Sequence, residues 1–343
     1  MHRYLFLFAA APAMAQAPDT GRDTHLDPNP EIIVTAPFPR ETIFALSGVS
    51  ILTAEALARE TRSTIGETLA RLPGVSSTYF GPNAARPVLR GLQGERVRVL
   101  TDGIGSFDVS NTSVDHAVAI SPFAADRIEV IRGPEVLLYG SSAIGGVVNS
   151  FDRRIPRGVP ENDIHVDALA GYGSAADEVT LAASLDVAIK PNFVVHVDGS
   201  FLDAQDLSVG GFVFSRAIRE EAAEEGLDPE EYDLSGRLPN SAARTWDFAG
   251  GATLFFGEDS SAGVSVTRLE SRYGVPNRLE IGHGDHEQEE DHGEAHEEEH
   301  EHGDITLDMR QTRVDFRVDL GLGGGFLERV RLRGGWADSV HDE

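Results

Sequence analysis

Between Gly282 and Asp304 the chain reads GHGDHEQEEDHGEAHEEEHEHGD, six histidines and eleven carboxylates without a lysine or arginine. Imidazole and carboxylate together are the donor set of borderline divalent metals, and the excess negative charge draws cations toward them. If residues 292–300 become helical, His292, His296 and His300 fall at i, i+4 and i+8 on one face, with His283, His286 and His302 as further donors. Such sites are multiple and weak, because ordering a flexible loop opposes binding. The competing reading is a hydrated acidic run. The same stretch spells H-E-x-x-H from His296 to His300. A metallopeptidase needs that motif on a partly apolar helix, with a third ligand and a substrate cleft. A segment built from His and Glu spells it by composition, so no enzyme activity and no catalytic cofactor are expected.

A second pair of donors, Asp115-His116, lies in the polar run Ser110 to His116. Adjacent Asp and His can reach one ion where the backbone is irregular, although spacing alone reads first as a hydrogen-bonded loop pair. His196, beside Asp198, reads as structural, and His25, His165 and His341 stand isolated in the sequence. There is no cysteine, which excludes disulfides and thiolate metal sites. The glycines from Gly140 to Gly146 match neither a phosphate loop nor a dinucleotide fingerprint. A formal charge of -27 repels phosphate backbones and argues against nucleic acid as a partner.

These donors need elements to position them. Arg3, the apolar run Leu5 to Ala11 and Ala13-Met14-Ala15 form a short export signal over residues 1–15. Residues 16–40 are a tether rich in Pro, Asp and Thr that contains the β-branched segment Glu31-Ile32-Ile33-Val34-Thr35-Ala36. That segment can add itself to a partner's sheet edge or serve as an ordinary first strand. Residues 41–155 alternate short helices, such as Ile65 to Leu72, with strands such as Arg96 to Leu100 and Arg127 to Ile131, a compact α+β domain. From residue 160 to 343 the period becomes two over seven segments of roughly ten residues, apolar on one face and polar on the other. A soluble β-sandwich alternates in the same way; strand length favours an antiparallel transmembrane β-barrel. The two long connections, Leu202 to Ala243 and Tyr273 to Asp304, share one end, and three short turns share the other. No later run has the roughly 18 apolar residues of a membrane helix.

The runs Val88 to Gly103, Ala125 to Pro134 and Leu138 to Asn149 resemble the plug signatures of TonB-dependent outer-membrane receptors. Within that family the chain is most similar to zinc-uptake receptors, through Leu238-Pro239-Asn240-Ser241, Ser271 to Pro276, the His-rich loop 282–304 and Asp308 to Arg313. The resemblance implies a plug inside a barrel of 22 strands, of which about seven are present here, so the chain is expected to be truncated. It implies that residues 31–36 are the TonB box, and that Asp115 and His116 belong to the tighter metal site. Zinc is then the transported ligand, and the partners are TonB, outer-membrane lipid and a divalent metal ion. Nickel, cobalt, copper or haem as ligand, or an exported zinc buffer in place of a receptor, are the alternatives.

Overall fold

The computed structural model describes residues 32–33, 40–41, 48–110, 113, 115–257, 259–276, 279, 305–323 and 327–343. The export signal, most of the tether and the loop carrying His283, His286, His292, His296, His300 and His302 lie outside the described residues, as do Glu31, Val34, Thr35 and Ala36. Ile32–Ile33 (β1) pairs antiparallel with Arg40–Glu41 (β2) over those two residues alone.

The first domain is built from β3 (Gly48–Leu52), α1 (Ala54–Glu60), α2 (Ile65–Leu69), β4 (Val75–Ser77), β5 (Pro87–Leu89), β6 (Val97–Thr101), β7 (Ile104–Gly105), β8 (Ala125–Arg132) and β9 (Gly146–Asp152). Five strands form one sheet in the order β3-β8-β9-β6-β7, with β6 and β9 parallel and the remaining pairs antiparallel. β4 and β5 make a separate hairpin. Thr64 caps α2 by accepting from the Glu67 amide at 3.3 Å. The helix ends at Leu69, short of the Leu72 that the apolar spacing suggests, because Pro73-Gly74 follows, with Gly74 at φ 72°. Leu57, Ile65 and Leu69 are buried against Leu89, Val97, Ile128, Val130 and Val148.

The second region is a meander of seven strands: β10 (Ile164–Gly173), β11 (Glu178–Lys190), β12 (Phe193–Ala204), β15 (Ala243–Phe256), β16 (Ser260–Gly274), β17 (Thr306–Gly321) and β18 (Arg329–Asp342). Each strand pairs antiparallel with its sequence neighbours, as the period of two requires. The connection between β12 and β15 folds into its own small unit: β13 (Ser208–Phe212) and β14 (Ser235–Arg237) pair, and α3 (Arg216–Glu225) and α4 (Pro229–Tyr232) lie between them. Here Arg219 stacks 3.5 Å from the Phe212 ring and bonds Asp233 at 2.8 Å. Among the described residues no helix is long and apolar enough to cross a membrane, which leaves strands out of account.

The sheet wraps the first domain with one face. Leu202, Ala243, Tyr273 and Leu307 pack on Ala84 and Ala117, while Leu269 and Met309 cover Ala119. The segment after β9 crosses the same face at two glycines. A Cβ at Gly251 would collide with the Arg154 carbonyl oxygen, and one at Gly263 with the Ile155 side chain. The opposite face carries exposed Phe248, Val264, Val266, Phe316, Leu332 and Trp336.

Candidate metal centre

Between β7 and β8 the described residues 107–110, 113 and 115–119 lie against the sheet near the end from which the two long connections emerge, where Ala117 meets Tyr273. Asp108 closes this loop, accepting from the amides of Ser110 and Ala119 at 3.0 Å each. Arg86, buried beneath, donates to the Ser110 carbonyl. The sheet grips the loop from the other side. Gln311 donates to the Phe107 carbonyl at 2.9 Å and Ser339 to the same oxygen at 3.1 Å. Tyr273, fully buried, accepts from the Ala117 amide at 2.8 Å and donates to the Asp115 carbonyl at 3.3 Å. One phenol thus spans the backbone on both sides of His116.

That clamp sets the side chains. Asp115 Oδ1 lies 3.8 Å from His116 Nδ1, and the His116 ring meets the His341 ring edge to face, centroids 4.2 Å apart and planes at 79°. His116 Nδ1 and His341 Nε2 are both buried, and neither has a hydrogen-bond partner among the described residues. Buried polar nitrogens are normally paired, so two orphans at one spot mark a place suited to a further polar or ionic group. Burial of Asp115 works against its charge. The Ser113 hydroxyl, its own backbone and the two imidazoles outweigh that and hold its carboxyl below the usual range. An ionised carboxylate with two facing imidazoles is a competent donor set for a borderline divalent cation. Among the described residues no three such side chains already stand in ligand geometry, so side-chain rotation would have to complete the set.

His341 corrects the sequence reading, which left it isolated. Its odd position in β18 puts it on the same face as Ser339, toward the loop, but nothing local to it says which loop it meets. His165 is not solitary either, lying 2.9 Å from Asp167 and 2.6 Å from an Arg153 nitrogen. His196 is buried between Asp186 at 2.7 Å and Asp198 at 3.0 Å, matching its structural reading.

A second polar cluster joins the same two regions deeper in the fold. Arg154, in the segment between β9 and β10, donates to Asp198 at 2.9 Å and also to Asp247. Burial disfavours its charge, but Asp247, Asp198 and Asp152 together raise its pKa above the ordinary value.

Residues 43–147 match the family model described as "TonB-dependent Receptor Plug Domain". This chain carries the plug domain of TonB-dependent receptors. The plug with its seven-stranded wall is similar to the copper transporter OprC, at 17% identity and a TM-score of 0.60 over 85% of this chain and 37% of that one. It is similar to the FrpB iron transporter from Neisseria meningitidis, at 14% identity and a TM-score of 0.60 over 85% of this chain and 41% of that one. The alcaligin outer-membrane receptor FauA from Bordetella pertussis matches at 16% identity and a TM-score of 0.58, over 91% of this chain and 42% of that one. Plug and wall therefore have the fold seen in these structures, and the chain spans about two fifths of their length.

Proposed function

We propose that this chain is part of an outer-membrane receptor that takes up a divalent metal ion, zinc foremost, with energy supplied through TonB. The observation that carries the reading is the facing pair His116 and His341 beside Asp115, each ring with a buried nitrogen left without a partner. The similar structures named as copper and iron transporters support metals as the ligand class. Zinc in particular rests on the His- and carboxylate-only donor set and on the His-rich loop 282–304. In this reading the loop collects ions weakly from His283 to His302 and Asp115, His116 and His341 bind one more tightly. Residues 31–36 recruit TonB, and the pairing of Ile32–Ile33 with Arg40–Glu41 is short enough to be exchanged for a partner strand.

Zinc titration of the detergent-solubilised chain tests this. One tight site and several weak ones are expected. Asp115→Ala with His116→Ala removes only the tight one, and deletion of residues 283–302 removes only the weak ones. Loss of the tight site on loop deletion, with the plug variants unaffected, would reverse the assignment. Competition with copper and nickel ranks the metals, and tighter copper binding in vitro is the ordinary order for such donors.

A further inference from the structure

The wall's outer face changes character along a sharp border. From β12 to β18 the outward positions on the short-turn side of Phe248, Val266, Val314 and Trp336 are apolar or glycine, apart from Ser260 at the turn itself. Past that border, toward the long connections, charged residues predominate at the outward positions, interspersed with Phe201, Trp246, Thr312 and Val340. Arg268 lies across from Phe248, Arg310 across from Glu270, and Arg272 between Arg244 and Asp308. The charged band runs from Arg268 to Arg272 on β16, about 14 Å of extended strand. It surrounds an open cleft of about 650 Å³, lined by Arg244, Arg268, Arg272 and Arg310 with Trp246 at its lower edge.

The four guanidiniums are held loosely. Arg244 meets Asp203 at 2.7 Å, Arg310 meets Asp342 at 3.1 Å and Arg268 meets Glu270 at 2.6 Å, all at least partly open to solvent. Arg272 is 4.0 Å from Asp308, with 69% of its side chain exposed. Exposed pairs of this kind are weak. Arg268 is also tied to Thr312 at 2.8 Å, but Arg244 and Arg310 each use one of their five N–H donors and Arg272 has only its 4.0 Å approach to Asp308, so these three keep most of their donors free. A fork of free donors suits phosphate, and an indole at the border of an apolar face suits the boundary between acyl chains and headgroups.

We infer that this cleft is a binding site for the phosphate of an anionic lipid headgroup, in the leaflet on the side of the long loops, with its acyl chains lying on the apolar face below. The inference rests on the membrane reading proposed above. A free anion does not account for the apolar surface directly beneath the arginines, whereas an amphiphile fills both parts.

The test uses the full chain extracted from membranes in detergent, with purified lipid A, a phosphorylated glycolipid, added back and bound lipid counted by native mass spectrometry. Retention of phosphorylated lipid by the unmodified chain is expected. The variant carrying Arg244→Gln, Arg272→Gln and Arg310→Gln should bind about tenfold less, as loss of charge-assisted hydrogen bonds implies. The control Arg216→Gln with Arg237→Gln, which removes charge from the loop unit, should bind as the unmodified chain does. All five substitutions are at exposed positions, and equal far-UV circular dichroism verifies folding. Equal binding by the triple variant, equal binding of dephosphorylated lipid A, or displacement by inorganic phosphate alone overturns the site. A chain recovered without detergent in the soluble fraction overturns the membrane reading itself, and a membrane-extracted chain that fails only the arginine test leaves that reading standing.

Discussion

The plug meets the wall through two polar clusters of opposite design. In the deep cluster no buried side-chain nitrogen or oxygen is left without a partner among the described residues: His196 bonds Asp186 and Asp198 through its two ring nitrogens, and Arg154 is shared between Asp198 and Asp247. In the upper cluster His116 and His341 face each other, each with an orphaned nitrogen, while Tyr273 and Asp108 hold only the backbone around them. Satisfied buried charges hold two bodies in register. Unsatisfied nitrogens on a clamped backbone suit a further group, and in the proposed reading the two clusters divide anchoring from binding.

The largest expected effect breaks the anchoring side. Arg154→Ala leaves Asp247 without its cation and Asp198 with only His196, and should cost about 3–5 kcal/mol in urea unfolding, as loss of one partner from a buried ion pair does. Its tight-site zinc affinity in the folded fraction should stay within about twofold, since the deep cluster donates nothing to the ion; a larger loss would merge the two clusters into one. On the binding side, His341→Ala should weaken the tight site about a hundredfold with little change in stability, as removal of a metal-site contact does. Unchanged affinity would return His341 to a bystander.

A finer probe separates the clamp from the ligands. Tyr273→Phe keeps the ring and removes the hydroxyl that spans Ala117 and Asp115, and about a tenfold loss of zinc affinity is expected from the loosened loop. The smallest effect concerns pH. Burial first, and then the Asp102 carboxylate, push Asp152 up from 3.8 to about 6. The folded state therefore binds that proton more tightly than the unfolded chain, so the stabilisation is full below about pH 4 and is lost as pH rises through about 6. Asp152→Asn should stabilise the protein by about 1 kcal/mol at pH 7 and hardly at all at pH 4. Stabilisation of equal size at both pH values would place the effect in packing rather than charge.

Asp115 and His116 were legible in the sequence as a pair with metal-binding chemistry, yet spacing alone could not raise them above a loop pair. What lifts them is His341, brought from the final strand, and Tyr273, brought from β16. The loop unit of β13, α3, α4 and β14 was likewise invisible as structure, since the Leu202 to Ala243 stretch lacks the strong periodicity of the strands and its order comes from packing such as Arg219 on Phe212.

The sequence by itself determined the two-part architecture and the order of the wall strands. A period of two is a local property, and short turns leave sequential antiparallel neighbours as the simplest pairing. It also determined the donor chemistry, because composition without cysteine leaves imidazole and carboxylate. Only the tertiary structure decided which donors share a site. The seat of the linker on Gly251 and Gly263 sets how the plug sits against the wall. Strand register then sets which side chains, remote in the chain, arrive at the loop. Neither is encoded within any window shorter than the whole fold.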